Sequence, residues 1–200
     1  MTKELLKQVV RKITEQVKSL GFKKREGEIY TCEAAEGFLG WLGLNRAIRA
    51  GVIAINPVVG VRCQELERLL SDLRGEKAHS YVPPTISSPL GYLMPEQNFR
   101  QWFFETAEDL SQVQDLVVAF CDYGIPFIRS TVSVDALQQR FESRLDAIEP
   151  NGTYRLPLVM AMRGEKTAAL QICEDILGGM GNPITADAYR RFAVALAEKR

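Results

Sequence analysis

The chain has 200 residues, of which 46% are hydrophobic and 25% are charged, a composition typical of a globular protein rather than a disordered or fibrous one. Its 25 lysines and arginines balance its 25 aspartates and glutamates, so the chain as a whole has no field that would attract nucleic acid. It contains no uninterrupted run of about 18 apolar residues, and its charged start is unlike a secretory signal, so we expect a cytoplasmic protein that contacts no membrane.

The first third of the chain predicts a helix followed by a sheet. Apolar residues recur at three-and-four spacing up to Leu20, the opposite face is lysine and arginine, and Gly21 ends the helix. Segments rich in aliphatic and aromatic residues then predict an antiparallel meander of three strands. These strands are Glu28–Cys32, Phe38–Ile48 and Val52–Val59.

A second helix is expected over Arg62–Leu73, with Gly75 just past its end. Residues 74–89 show neither helical nor strand periodicity, and an irregular segment of this length is usually functional or disordered. Two further strands are predicted on either side of a polar turn, at Leu90–Met94 and Gln101–Glu105.

The second half of the chain predicts helices. Thr106 and Asp109 have the spacing of a capping box, and the helix that they begin is expected to end near Gly124 because Pro126 cannot continue it. Ser133 is a candidate cap for the next helix. The remaining predicted helices are 134–148, Tyr154–Met162, Glu165–Leu177 and one from about Thr185 to the end. The Arg163–Gly164 junction between the second and third of these allows only a tight turn, which predicts an antiparallel helix pair.

Strands followed by a run of helices indicate an α+β fold rather than βαβ alternation. We expect a mostly antiparallel sheet of about five strands with flanking helices and a C-terminal helical segment. The expected domains are an α+β domain over 1–150 and a helical extension over 151–200 packed on it.

Charge is unevenly placed along the chain. Residues 1–25 carry eight cations against two acids, and residues 105–149 carry nine acids against three arginines. This polarity matters for a partner only if the two segments lie apart in the fold.

The residue types that most often build catalytic or metal sites are sparse. His79 is the only histidine, and the four cysteines are widely spaced among apolar residues, so we expect no metal or cofactor and reduced thiols, at least three of them largely buried. A Cys–His dyad stays possible in principle because partners meet in space. The glycines within 37–43 and 178–183 lack the residues of a phosphate-binding loop, which disfavours nucleotide binding.

The basic first helix, the Gly21–Lys24 motif, the aromatic strands and the motif Tyr123–Phe127 together resemble small bacterial α+β families of unknown function. Some members of those families are regarded as immunity proteins that neutralise polymorphic or secretion-delivered toxins. The resemblance covers about residues 1–148 and implies no catalytic residues. The helix pair within 154–177 is similar to a single tetratricopeptide-like unit, which is too little for a repeat array.

We therefore expect a non-enzymatic protein-binding protein, with a toxin as the candidate partner. The alternatives are an enzyme of unassigned class, such as a hydrolase or a nucleotide-binding enzyme, and a nucleic-acid-binding accessory protein, although nucleic acid is the less favoured partner. The predicted partner-binding residues are Arg74, Lys77, His79 and Tyr81, since an irregular loop can present side chains and Arg and Tyr often anchor interfaces. The competing surface is the acidic segment 105–149, and the oligomeric state is left open.

Overall fold

The computed structural model describes residues 2–143 and 152–199 of an α+β protein. The chain forms two compact units, the first from Met1–Arg62 with Ile86–Thr131 and the second from Cys63–Thr85 with Val132–Arg200. The helices are α1 Thr2–Ser19, α2 Gln64–Arg74, α3 Gln112–Ala119, α4 Ile125–Arg129, α5 Val134–Glu142, α6 Gly152–Met162, α7 Lys166–Gly178 and α8 Pro183–Glu198. The strands are β1 Lys23–Lys24, β2 Ile29–Ala35, β3 Phe38–Gly43, β4 Arg46–Arg49, β5 Val52–Ile55, β6 Val58–Cys63, β7 Ile86–Pro89 and β8 Trp102–Phe104.

The first unit contains two sheets. Five strands form an antiparallel sheet in the order β1-β2-β3-β6-β7, and three form a second sheet in the order β4-β5-β8. The expected α+β class, with a mostly antiparallel sheet of about five strands and flanking helices, is therefore confirmed. Helix α1 begins and ends as predicted, with its apolar stripe buried and Gly21 at a φ of +87° after its last turn.

Two of the predicted strands are each divided in two. The segment Phe38–Ile48 is interrupted at Asn45, which takes a φ of +41°, and Val52–Val59 is interrupted at Pro57, which has no N–H to donate. The two breaks lie together, because the Asn56 N–H donates to the Asn45 carbonyl over 3.1 Å. One long hairpin thus leaves the five-stranded sheet, builds two strands of the smaller sheet and returns.

The predicted strand Leu90–Met94 is wrong. Leu90–Leu93 forms a 3-10 helix, and the strand in this region is β7, inside the segment expected to be irregular. Gly91 shows the reason, since a Cβ at this position would lie 2.4 Å from the Asn98 carbonyl oxygen. The chain folds back on itself too closely here for an extended strand.

The predicted helix end near Gly124 is also wrong. A π-helical turn over Phe120–Gly124 joins α3 to α4, and the Ile125 N–H donates to the Phe120 carbonyl five residues earlier. This wider turn places Pro126 in the first turn of α4, where a missing N–H costs no hydrogen bond. The helix therefore passes through the proline that was expected to end it.

The other helix signals are confirmed. Thr106 and Asp109 form the capping box, Ser133 accepts from the Ala136 N–H, and Gly164, at a φ of +84°, allows the tight turn between α6 and α7. The part of the predicted fifth helix beyond residue 143 lies outside the described residues.

Within the described chain, no single helix is long and apolar enough to cross a membrane, although one bent pair, Ala107–Arg129 with Val134–Glu142, meets the same limits when taken together. The compact units interleave along the sequence, with residues 63–85 in the second unit. The division into domains at 1–150 and 151–200 stays a prediction.

Candidate partner-binding site

The segment between α2 and β7 is irregular in shape but held by hydrogen bonds within the second unit. Gly75 adopts the left-handed conformation that ends α2, and the Glu76 N–H returns to the Ser71 carbonyl over 2.8 Å. Further along, the Gln64 side chain donates to the Ser80 carbonyl over 2.9 Å. We call residues 74–85 the α2 loop; its backbone is ordered by bonds to the helix that precedes it.

The far end of the α2 loop is fixed by a buried bond. The Cys63 N–H, at the start of α2, donates to the fully buried hydroxyl of Thr85 over 2.9 Å. Because an unpaired buried N–H would cost free energy, this hydroxyl holds the two ends of the segment 63–85 together. The loop is thus closed at its base.

His79 and Tyr81 form one structural pair at the tip of the α2 loop. The exposed His79 ring accepts through Nδ1 from the N–H groups of Tyr81 and Val82, over 3.3 and 3.2 Å. Its ring lies edge-on to the half-buried Tyr81 ring, with 4.5 Å between centroids. Since Nδ1 accepts, the ring carries its hydrogen on Nε2.

Arg74 belongs to a different contact. Its guanidinium carbon lies 4.9 Å from the centroid of the Tyr154 ring of α6, and its Nη2 lies 2.7 Å from a carboxylate oxygen of Glu76. The arginine is thereby oriented by an aromatic face and an acid at once. Tyr154 is a site residue that the sequence analysis did not identify, because its distance along the chain from Arg74 hides the contact.

The four predicted site residues are therefore brought into one segment but not into one cluster. Arg74 contacts Tyr154, His79 contacts Tyr81, and Lys77 is exposed between the two pairs. Their assignment as partner-binding residues stays a prediction. Their arrangement offers one cationic and aromatic patch, Arg74 with Tyr154, and one aromatic patch, His79 with Tyr81, on a backbone that is already ordered.

A buried ion pair fixes the helix that carries the α2 loop. Arg155 Nε and Nη2 donate to the two carboxylate oxygens of Glu67 over 2.6 and 2.8 Å, and both side chains are at most 6% exposed. The pair joins α2 to α6, the two helices that carry Arg74 and Tyr154. No local pattern in the sequence reveals this pair, although the place of Glu67 between Leu66 and Leu70 on the buried side of α2 could have suggested a buried partner.

The competing acidic surface is less available than its sequence suggests. Asp115 accepts from both Arg100 and Trp102, over 2.8 and 2.7 Å, and Asp109 is occupied by its capping box. Two other acids of the segment, Asp146 and Glu149, lie outside the described residues. The basic helix α1 packs against α3 and against the 3-10 turn Ala107–Ser111, so within the first unit it lies beside residues 107–119 of the acidic segment.

The described residues offer little for catalysis. Burial raises the pKa of the Cys63 and Cys173 thiols, the two cysteines in the same unit as His79, and thiols held protonated are weak nucleophiles. Among residues 2–143 and 152–199, no three His, Cys, Asp or Glu side chains are grouped so as to hold a metal ion. That the protein binds no cofactor and catalyses no reaction stays a prediction.

The cysteines are free, but they are buried to different depths. Cys63 and Cys173 are buried, whereas Cys32 and Cys121 are partly exposed. The apolar neighbours of a residue along the chain do not determine how deeply its own side chain lies, because the chain alternates between faces.

The chain matches no family model, no curated protein and no solved structure.

Proposed function

We propose that this protein acts by binding another protein through the α2 loop, and that the partner is a bacterial toxin which it neutralises in the cytoplasm. The observation that carries the proposal is the ordered tip of the loop, where the His79 ring accepts two backbone N–H groups and packs on Tyr81. A surface that is ordered before binding loses less conformational entropy when the complex forms.

The residue types of the α2 loop support the same proposal. Tyrosine and arginine are the side chains most enriched among residues that dominate binding energy, and Tyr81 and Arg74 are both oriented by a neighbouring ring. The cytoplasmic location is supported by the four free cysteines, since disulfides are typical of oxidising compartments.

The test is to capture the partner from the native host with the full chain and then to measure its affinity for variants. Tyr81→Ala should weaken binding by at least about 1 kcal/mol, or about fivefold in Kd, at low and at high salt. Tyr92→Ala is the matched control, because it removes an exposed tyrosine from the first unit. It should leave the affinity unchanged.

The alternative surface gives a different result. If the acidic segment 105–149 is the binding surface, the association rate should fall steeply as salt rises while Tyr81→Ala changes little. A partner that binds Tyr81→Ala as tightly as the wild type would contradict the proposal. Co-expression with the captured partner then tests neutralisation, since host growth should be rescued by the wild type and less well by Tyr81→Ala.

A further inference from the structure

The first unit carries an open groove along α1, with a volume of about 440 Å³. The groove lies between α1 and the stretch of chain that contains β1 and the 3-10 turn Glu26–Glu28. We call it the basic groove. Its lining residues are Leu6, Lys7, Val10, Arg11, Thr14, Glu15, Lys18, Lys24 and Glu28.

The charges around the basic groove are unequal. Four cations line it against two acids, and Glu28 is already neutralised by Arg46, whose Nε lies 2.9 and 2.7 Å from the two carboxylate oxygens. Glu15 lies 3.8 Å from Arg11, an exposed pair that solvent weakens. Lys18 and Lys24 make no ion pair with any part of the chain that the structure describes. Two cationic side chains therefore border the groove without an ion-paired acid among the described residues.

The base of the groove is apolar apart from a hydroxyl pair that is already satisfied. The Thr14 hydroxyl donates to the Val10 carbonyl over 2.6 Å, so its 2.8 Å contact with Tyr30 must be one in which the tyrosine donates. Burial raises the pKa of Tyr30, which keeps it in the protonated, donating form. Neither hydroxyl hydrogen is left for a ligand, so the groove offers a ligand the charges of its cations and the apolar surfaces of Leu6 and Val10.

A short acidic peptide fits this groove better than a nucleic acid does. A bound nucleic acid strand extends in both directions, and α1 packs against the 3-10 turn Ala107–Ser111, whose acids Glu108 and Asp109 repel a long polyanion. The groove lining contains no aromatic side chain on which a base could stack. An acidic peptide needs only a local row of cations and an apolar base for its aliphatic groups.

We propose that the basic groove binds a short acidic segment of a partner protein, through Lys18 and Lys24. The site lies in the first unit and is separate from the α2 loop, so it does not rest on the function proposed above. The basic groove is thus a second binding surface. Its expected partner is an extended segment in which carboxylate and aliphatic side chains alternate.

The test uses the full chain and a fluorescent hexapeptide that alternates glutamate and leucine, with a glutamine-for-glutamate peptide and a single-stranded oligonucleotide as comparisons. The acidic peptide should bind at low salt and the glutamine peptide should not. Lys24→Glu should weaken binding by about fivefold, on the scale of reversing one exposed charge contact. Lys23→Glu is the matched control, because it makes the same charge change at the neighbouring exposed residue of β1, which does not line the groove.

A second pair of variants tests whether a loss of peptide binding results from a loss of folding. Lys18→Gln removes one groove charge without placing an acid in the last turn of α1, and Lys3→Gln makes the same change at an exposed site of α1 outside the groove. The first should weaken peptide binding by about two- to threefold and the second should not, with equal helical signal by circular dichroism. The proposal is overturned by no binding of the acidic peptide, by equal losses in Lys23→Glu and Lys24→Glu, or by tighter oligonucleotide binding that the same groove substitutions abolish.

Discussion

Individual side chains with two hydrogen-bond partners hold the irregular segments of this chain. His79 accepts two N–H groups in the α2 loop, and Asp109 accepts two at the start of the turn that precedes α3, from Glu105 over 2.7 Å and Thr106 over 2.9 Å. Each satisfies backbone donors that no neighbouring strand or helical turn satisfies. A few polar side chains therefore satisfy the backbone N–H groups of the turns and loops.

Asp109 gives a prediction about acid stability. The N–H groups of Thr106 and then of Glu105 hold the pKa of Asp109 below its usual value. A lowered native pKa stabilises the folded state at pH values above the unfolded pKa, and this contribution is lost as the pH falls through the native pKa. Asp109→Ala should therefore lower the melting temperature at neutral pH, and the difference from the wild type should shrink in acid.

The control for Asp109 is its neighbour. The Glu108 carboxylate makes no hydrogen bond or ion pair within the described residues, so Glu108→Ala should change the melting temperature little at any pH. A melting temperature for Asp109→Ala that stays below the wild type by the same amount in acid would show that the carboxylate charge is not the cause.

At the scale of elements, α2 and α6 are joined by the buried Glu67–Arg155 pair. Removing one partner of a buried ion pair is strongly destabilising, so Arg155→Met should lower the free energy of unfolding by about 3–5 kcal/mol. The double variant Glu67→Leu with Arg155→Met should recover most of this loss, since a hydrophobic pair of similar volume needs no compensation. Chemical denaturation of the three proteins measures both effects.

An exposed ion pair supplies the comparison. Arg191 pairs with Asp187 on α8, where its side chain is 72% exposed, so Arg191→Met should cost less than about 1 kcal/mol. A double variant no more stable than Arg155→Met alone would mean that the pair has a role in α2–α6 packing which apolar residues cannot replace.

At the scale of the molecule, the reaction rates of the four free cysteines measure how well each part of the two units is shielded from solvent. Burial raises the pKa of all four thiols, and Cys63 and Cys173 are also at most 3% exposed. In the native protein a thiol reagent should therefore modify Cys32 and Cys121 first and Cys63 and Cys173 much more slowly. Mass spectrometry of the labelled peptides over time gives the order.

Denatured protein serves as the reference, since all four thiols should react there at similar rates. Native labelling of Cys63 as fast as in denaturant would contradict the packing described at the start of α2. Both partly exposed thiols, Cys32 and Cys121, lie in the first unit, and both buried thiols, Cys63 and Cys173, lie in the second. The experiment therefore compares the labelling rates of two buried thiols in the second unit with those of two partly exposed thiols in the first.

The sequence by itself determined the elements whose signals are local. The apolar stripe of α1, the Thr106–Asp109 capping box, the Ser133 cap and the Gly164 turn all act between residues a few positions apart, so they are readable without the fold. The same limit applies to the candidate site. The irregular α2 loop could be predicted from the sequence, but the contact of Arg74 with the distant Tyr154 could not.

Only the tertiary structure decided how distant segments meet. The division of one hairpin between two sheets depends on Asn45 and Asn56 lying side by side, and the Glu67–Arg155 pair joins residues 88 positions apart. The basic groove requires β1 to lie beside α1 so that Lys24 joins Lys18. Such contacts form because folding brings remote groups together to bury apolar surface and pair polar atoms, and no local pattern of residues encodes which remote groups will meet.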